Sequence, residues 1–183
     1  MRVFLDFEAS SLSDDSYPIE VGWVFEDGRE EAHLIRPAAH WRDWDPEAET
    51  IHHIPRERLL AEGEAPADVA RRMLEVLSGH QLYASAPSWD GKWLSVLLRG
   101  ARLPRHALRL KDTDEAQIET AREILRPVLL GDELQGAVMK VLKVARGQPR
   151  EPAHRALADA RQELLTWRQV QAAAEAEAAR RRA

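Results

Sequence analysis

The chain has 183 residues, 44% of them hydrophobic and 31% charged, which suits a single globular domain. It contains no cysteine, so disulfides, cysteine–zinc sites and thiol catalysis are excluded. Its 31 acidic residues outnumber 26 lysines and arginines for a net charge of −5, which on totals alone argues against a nonspecific nucleic-acid binder.

Arg2-Val3-Phe4-Leu5-Asp6-Phe7 is apolar and partly β-branched, and predicts a buried strand ending near Asp6. The charge at Asp6 is unlike a secretory leader, no stretch approaches the roughly 20 apolar residues of a membrane span, and action in the cytoplasm is the expectation. After a polar loop at 10–16, residues 19–25 predict a second strand, Asp27-Gly28 a hairpin turn, and residues 31–35 the returning antiparallel strand, stopped by Pro37. Residues 38–64, rich in His, Trp, Pro and acids, read as a long irregular loop of the kind that often carries function. Val69, Ala70, Met73, Leu74 and Leu77 predict a helix over 67–77, and Gly79 ends it. A short strand at 81–84, a helix at 90–98, a last strand at 108–110 and helices at 114–125, 132–145 and 153–174 complete an α/β reading with a mixed sheet. The Ala/Glu/Arg-rich end, 172–183, offers little apolar surface and is expected to fray or to pack on another molecule.

Asp6 and Glu8 point to one face of their strand, where two carboxylates repel and need a compensating cation if desolvated. Taken alone, the pair fits a solvated strand end equally well. Asp90, in Ser88-Trp89-Asp90, taken alone reads first as a helix N-cap. Asp159 is flanked by Ala156, Ala158 and Ala160, small residues that let a helix approach a sheet closely enough for a short acid to reach it. His154 precedes it by five residues, about 140° around a regular helix. Because Pro152 suits a first turn, His154 is expected in the loop or first turn, free to face what Asp159 faces.

Asp6-Phe7-Glu8-Ala9-Ser10-Ser11-Leu12, Ile19-Glu20-Val21-Gly22, Asp90 and His154-x-Ala156-Leu157-x-Asp159-Ala160 occur in that order. Together they resemble the DEDD superfamily of 3′–5′ exonucleases, and the histidine is similar to that of its DEDDh, or DnaQ-like, branch. The resemblance spans about residues 1–170, taken as the exonuclease domain, with 171–183 as a helical tail. Departures fall at Phe7, Ala9, Ser10 and Ser11, where the family has small polar residues and glycine. Ala86 replaces an Asn, Trp89 a Phe, and His53 the Gly of an Ile-His-Gly-Ile motif seen here as Ile51-His52-His53-Ile54. All four acids and the histidine are kept, so the departures bear on substrate choice.

The resemblance implies a ribonuclease-H-like mixed sheet, its first three strands antiparallel, flanked by helices. It implies two Mg²⁺ or Mn²⁺ held by Asp6, Glu8, Asp90 and Asp159, with Asp6 bridging, for in-line hydrolysis. His154 would be the general base, and nucleoside monophosphates would leave the 3′ end of single-stranded RNA or DNA. A phosphodiesterase for very short RNAs and a catalytically silent nucleic-acid-binding module on the same fold are the alternatives. Several relatives pair, so a homodimer is a further expectation. A proofreading subunit would carry a polymerase-tethering tail; here any tether is expected on another chain.

Ala9, Leu12, His52 and Trp89 match or neighbour family positions near the terminal nucleotide, Leu12 as a wedge against its base. Trp41 and Trp44 either stack on unpaired bases or anchor the long loop, and Trp23, Trp93 and Trp167 belong to apolar faces. Two acid-free basic segments, 99–111 and 139–150, can track phosphates. With two divalent cations offsetting most of the −5, total charge no longer argues against a nucleic-acid partner.

Overall fold

The computed structural model describes residues 1–147 and 153–182. Five strands form one sheet in the order β3-β2-β1-β4-β5: β1 Arg2–Ala9, β2 Pro18–Phe25, β3 Glu30–Leu34, β4 Gln81–Ala84 and β5 Leu110–Asp112. The first three are antiparallel, as expected, and β4 runs parallel to β1 and to β5. The helices are α1 Pro46–His52, α2 Arg56–Glu62, α3 Pro66–Leu77, α4 Pro87–Gly100, α5 Thr113–Leu125, α6 Gly131–Arg146 and α7 Ala156–Arg182. None is long and apolar enough to cross a membrane.

The continuous apolar run Val3-Phe4-Leu5 marks a central strand covered on both faces. Val3, Leu5 and Phe7 enter the larger core, with Met73, Leu77, Leu94 and Leu97 of α3 and α4. Phe4 points the other way, against Ala160, Leu164 and Trp167 of α7. By the two-residue period of a strand, Asp6 and Glu8 share Phe4's face and therefore stand under α7. The strand does not stop near Asp6: its ladder to β2 continues through Phe7 and Glu8, with an irregularity between Glu8 and Ala9.

The segment expected to be irregular contains two short helices. Asp45 caps α1 by accepting the Glu47 amide, and Pro46 occupies its first turn. His53 ends α1 at φ 55°, a left-handed conformation that favours glycine. Helix α4 starts three residues earlier than expected, at Pro87, so Ala86 is its N-cap and Asp90 lies inside the first turn. Strand β5 begins at Leu110, while Leu108 is buried in the core.

Through Arg182 the terminal segment is helical, and its described residues pack within the molecule. Val170, Ala174 and Ala178, spaced four apart on α7, pack against Val138, Val141 and Leu142 of α6 and Ala121 and Leu125 of α5. Arg180 and Arg181 both pair with the buried Glu177. Alanine contributes little to hydropathy but leaves a shallow stripe into which a neighbouring helix settles. Pro152, the last three residues of the basic segment 139–150, and Ala183 lie outside the described residues.

Candidate active site

Helix α7 reaches the sheet because β2 has no side chain in its path. A Cβ built on Gly22 would lie 2.5 Å from the Leu157 Cα, closer still to the Leu157 nitrogen, and 2.7 Å from the Ala156 carbonyl carbon. Beside this crossing, the buried Glu20 accepts from Arg155 Nε (3.1 Å), Arg155 Nη2 (2.6 Å) and the Ala156 amide (3.0 Å). A carboxylate at a helix N-terminus satisfies an otherwise orphaned donor and the positive end of the dipole.

Asp159 faces the sheet from the first turn of α7. Its Oδ1 accepts the Ala153 amide (2.8 Å) and its Oδ2 the Arg155 amide (3.3 Å), so it ties down the backbone on both sides of His154, which is held at φ 52°. Asp6, Glu8 and Asp159 converge: each offers a carboxylate oxygen within 4.8 Å of the others. Asp90 stands outside that trio. It is 2% exposed, and its Oδ1 accepts the amide of Phe7, the residue between Asp6 and Glu8.

The clustered charge is costly. Burial pushes the Asp6 carboxyl well up from its ordinary value, and the carboxylates of Asp90, Glu8 and Asp159 push it further. Glu8 is pushed up to about 8 by burial and then by Asp159 and Glu20, against a lowering by Arg155. Burial raises Asp90 to about 7, opposed by the amides it accepts. Glu163, one turn beyond Asp159 on α7, is also raised by burial, and its charge adds to the load on Asp6. A desolvated set of hard oxygen donors repelling at this range fits a divalent cation such as Mg²⁺ or Mn²⁺.

A pH dependence follows. Glu8 has a higher pKa folded than its ordinary 4.5, so the folded state binds the proton more tightly. That stability is complete below the unfolded pKa and is lost as pH rises through about 8. The metal-free chain is expected to melt at progressively lower temperature between pH 6.5 and 8, and added Mg²⁺ is expected to reverse the loss. Circular-dichroism melts in EDTA across that range check it; a rising Tm would contradict it.

A cavity of about 200 Å³ adjoins the acids, with Glu8, Ala9, Leu12, Ile51, His52 and His154 among its lining residues. Leu12 and Ile51 are 70% and 49% exposed despite being apolar. The loop carrying Leu12 is braced by Asp43, which accepts from the hydroxyls of Ser10 (3.0 Å), Ser11 (2.6 Å) and Ser13 (2.9 Å). Lys92 Nζ adds a bond to Ser16 Oγ at 3.0 Å. His52 is buried; its Nδ1 accepts the Ile54 amide (3.1 Å) and burial lowers its pKa, which favours the neutral ring.

The tryptophans divide. Trp89, 37% exposed, stacks on Trp93 with centroids 5.7 Å apart and has the Lys92 ammonium 5.0 Å from its ring. Trp41 is only 7% exposed and stacks on Tyr17 at 5.2 Å, so it has no face left for a base and anchors the loop. Trp44 packs against the core and donates to Glu49 (3.0 Å); neither Trp41 nor Trp44 is among the residues lining the cavity. The sequence motif that holds Glu20 and Gly22 does not disclose their roles, and no motif points to Asp43 or Glu163. Only Glu163 left a signal, its four-residue spacing from Asp159.

No protein-family profile matches the chain, and no curated protein is similar to it in sequence. Solved structures do match. The zinc-bound complex of Escherichia coli exonuclease I with single-stranded DNA has a TM-score of 0.61 at 17% identity, over 89% of this chain and 38% of that one. A product-bound exonuclease I gives 0.63 at 17% identity over 93% and 43%. The moderately thermophilic exonuclease I of Methylocaldum szegediense gives 0.62 at 18% identity over 92% and 39%. The chain spans about two fifths of the length of these structures, and what it shares with them is the fold, a ribonuclease-H-like mixed sheet flanked by helices.

Proposed function

We propose that this chain is a divalent-metal-dependent 3′–5′ exonuclease of DEDDh type, releasing nucleoside monophosphates from single-stranded RNA or DNA. The convergence of Asp6, Glu8 and Asp159 within 4.8 Å carries the reading. Asp90 bonded behind them, His154 on the wall of the adjoining cavity, and a fold shared with a nuclease solved with single-stranded DNA and zinc support it.

In this reading Asp6, Glu8, Asp90 and Asp159 hold two cations, Mg²⁺ or Mn²⁺. When bound, such cations supply the positive charge that stabilises attacking and leaving oxygens in an in-line displacement. His154 takes the proton of the attacking water, and Asp159 keeps it in place by fixing the amides on either side of it. The cavity admits one unpaired terminal nucleotide: Leu12 and Ile51 cover the base, and Ala9, small and buried, leaves room for the sugar. Exposed Trp89 offers a face to a neighbouring base. Residues 1–170 carry the whole set, and the last turns of α7 brace α6.

Mononucleotide release that depends on Mg²⁺ and is lost in EDTA tests the reading. Within that assay, His154→Ala is expected to lower kcat by about 10²–10⁴-fold while Mn²⁺ binding persists. Loss of Mn²⁺ affinity, with the rate per bound metal retained, would instead make His154 a ligand.

A further inference from the structure

The cleft between α4 and the 101–109 loop is lined by Pro87, Gly91, Ser95, Arg105, His106 and Arg109 with Leu94, Leu108 and Leu110, and encloses about 320 Å³. Among the described residues, no acidic one lines it. It flanks Asp90 on helix α4, between Pro87 and Gly91: Asp90 turns to the sheet and Phe7, while Gly91 opens on the cleft, where an added Cβ would meet nothing within 4 Å.

Of the described residues, ten arginines, among them Arg72, Arg146, Arg155 and Arg161, form ion pairs with carboxylates. Among the described residues, Arg99, Arg102, Arg105, Arg109 and Lys111 form none. Other cations also lack an ion pair among the described residues, Arg36, Arg42, Arg122 and Arg126 among them, but here Arg105, His106 and Arg109 gather on one concave surface. Arg99 donates to the Ser95 carbonyl, and Lys111 sits 5.8 Å from the Tyr83 ring centroid. Arg105 Nε donates to His106 Nε2 (2.9 Å), which leaves the other ring nitrogen of a neutral His106 as a donor. In the second basic segment Arg146 is consumed by Asp114 (2.6 Å) and Gln117 (2.8 Å), while Lys140 and Lys143 form no ion pair among the described residues. In a chain with net charge −5, a cluster of exposed, unneutralised guanidinium groups around a concave surface calls for an anion supplied from outside.

We propose that this cleft seats backbone phosphates of the substrate strand upstream of the terminal nucleotide, with Arg105 and Arg109 as the contacts. The inference rests on the exonuclease reading and extends it to substrate length: the strand leaves the acids over Asp90 and passes along α4 into the cleft.

The test compares the wild-type chain with the Arg105→Gln/Arg109→Gln double variant, both sites exposed so that the fold is retained. Affinity for a fluorescein-labelled 12-nucleotide oligothymidylate is measured in EDTA across a salt series, and turnover of a dinucleotide is measured in Mg²⁺. The double variant is expected to bind the 12-mer about tenfold more weakly at low salt and to flatten log K against log salt by about 1.4, two phosphates' worth, with dinucleotide turnover unchanged. An unchanged affinity and slope, or an equal loss on the dinucleotide, overturns the proposal. Competition of the 12-mer by millimolar inorganic phosphate at matched ionic strength would assign the cleft to a free anion and also overturn it. If the wild type binds the 12-mer but hydrolyses neither substrate, the exonuclease reading fails while the salt slope still decides the cleft.

Discussion

Asp6→Asn is expected to lower hydrolysis by about 10³-fold or more and, at the same time, to raise the melting temperature of the metal-free chain. Both effects have one cause. Asp6 sits mid-strand with the charges of Glu8, Asp90 and Asp159 all bearing on it, so a cation held there would offset a repulsion that the metal-free chain must carry. Among the described residues no hydrogen bond to the Asp6 side chain is found, so removing its charge is expected to relieve repulsion at little cost to the fold. Asp159→Asn is expected to lose activity equally but to lose stability as well, because that carboxylate also holds the Ala153 and Arg155 amides. Hydrolysis rates and melts in EDTA separate the two. A drop in Tm for Asp6→Asn would mean that the carboxylate builds the fold instead of serving a cation.

The second large effect is expected at a residue with no side chain. Gly22→Val places carbon atoms inside the backbone of Leu157, where no flexible side chain can move aside. Either β2 or the start of α7 must shift, at a cost of about 3 kcal/mol, or about 6–12 °C in Tm for a chain of this size. Since Ala156 and Asp159 ride on the same turn, activity is expected to vanish even well below the melting temperature. Gly136→Ala on α6 is the control, since its Cβ meets nothing within 4 Å and it should stabilise by up to about 1 kcal/mol. A Gly22→Val variant with native melting and activity would remove the close approach from the account.

What was legible in the sequence was periodic or local. The apolar run of β1, the turn at Gly28 and the helical stripe from Val69 to Leu77 all appear as expected. So does the two-residue spacing that puts Asp6 and Glu8 on one face. What was not legible lies in pairings distant along the chain. Glu20 meets Arg155 across 135 positions, and the Ser11 hydroxyl meets Asp43 across 32, with no pattern linking the partners. The small alanines around Asp159 pointed to a close helix–sheet approach, and Ala156 and Ala160 are fully buried, but the residue that permits it is Gly22 on the facing strand. Composition also misled. The last turns of α7 looked too poor in apolar atoms to pack, yet Ala174 and Ala178 lie in a regular stripe where shallowness is what α6 needs. Trp41 and Trp89 are the same residue type in polar surroundings; only the three-dimensional placement sends one into the core and leaves the other with an open face.

The most direct measurement follows a single-stranded oligonucleotide carrying one label at its 5′ end and another at its 3′ end, incubated with the purified chain in Mg²⁺ or Mn²⁺. The expected result is the 3′ label appearing at once as a nucleoside monophosphate while the 5′-labelled strand shortens one nucleotide at a time, both lost in EDTA. First release of the 5′ label, internal fragments, or hydrolysis that survives EDTA would contradict it.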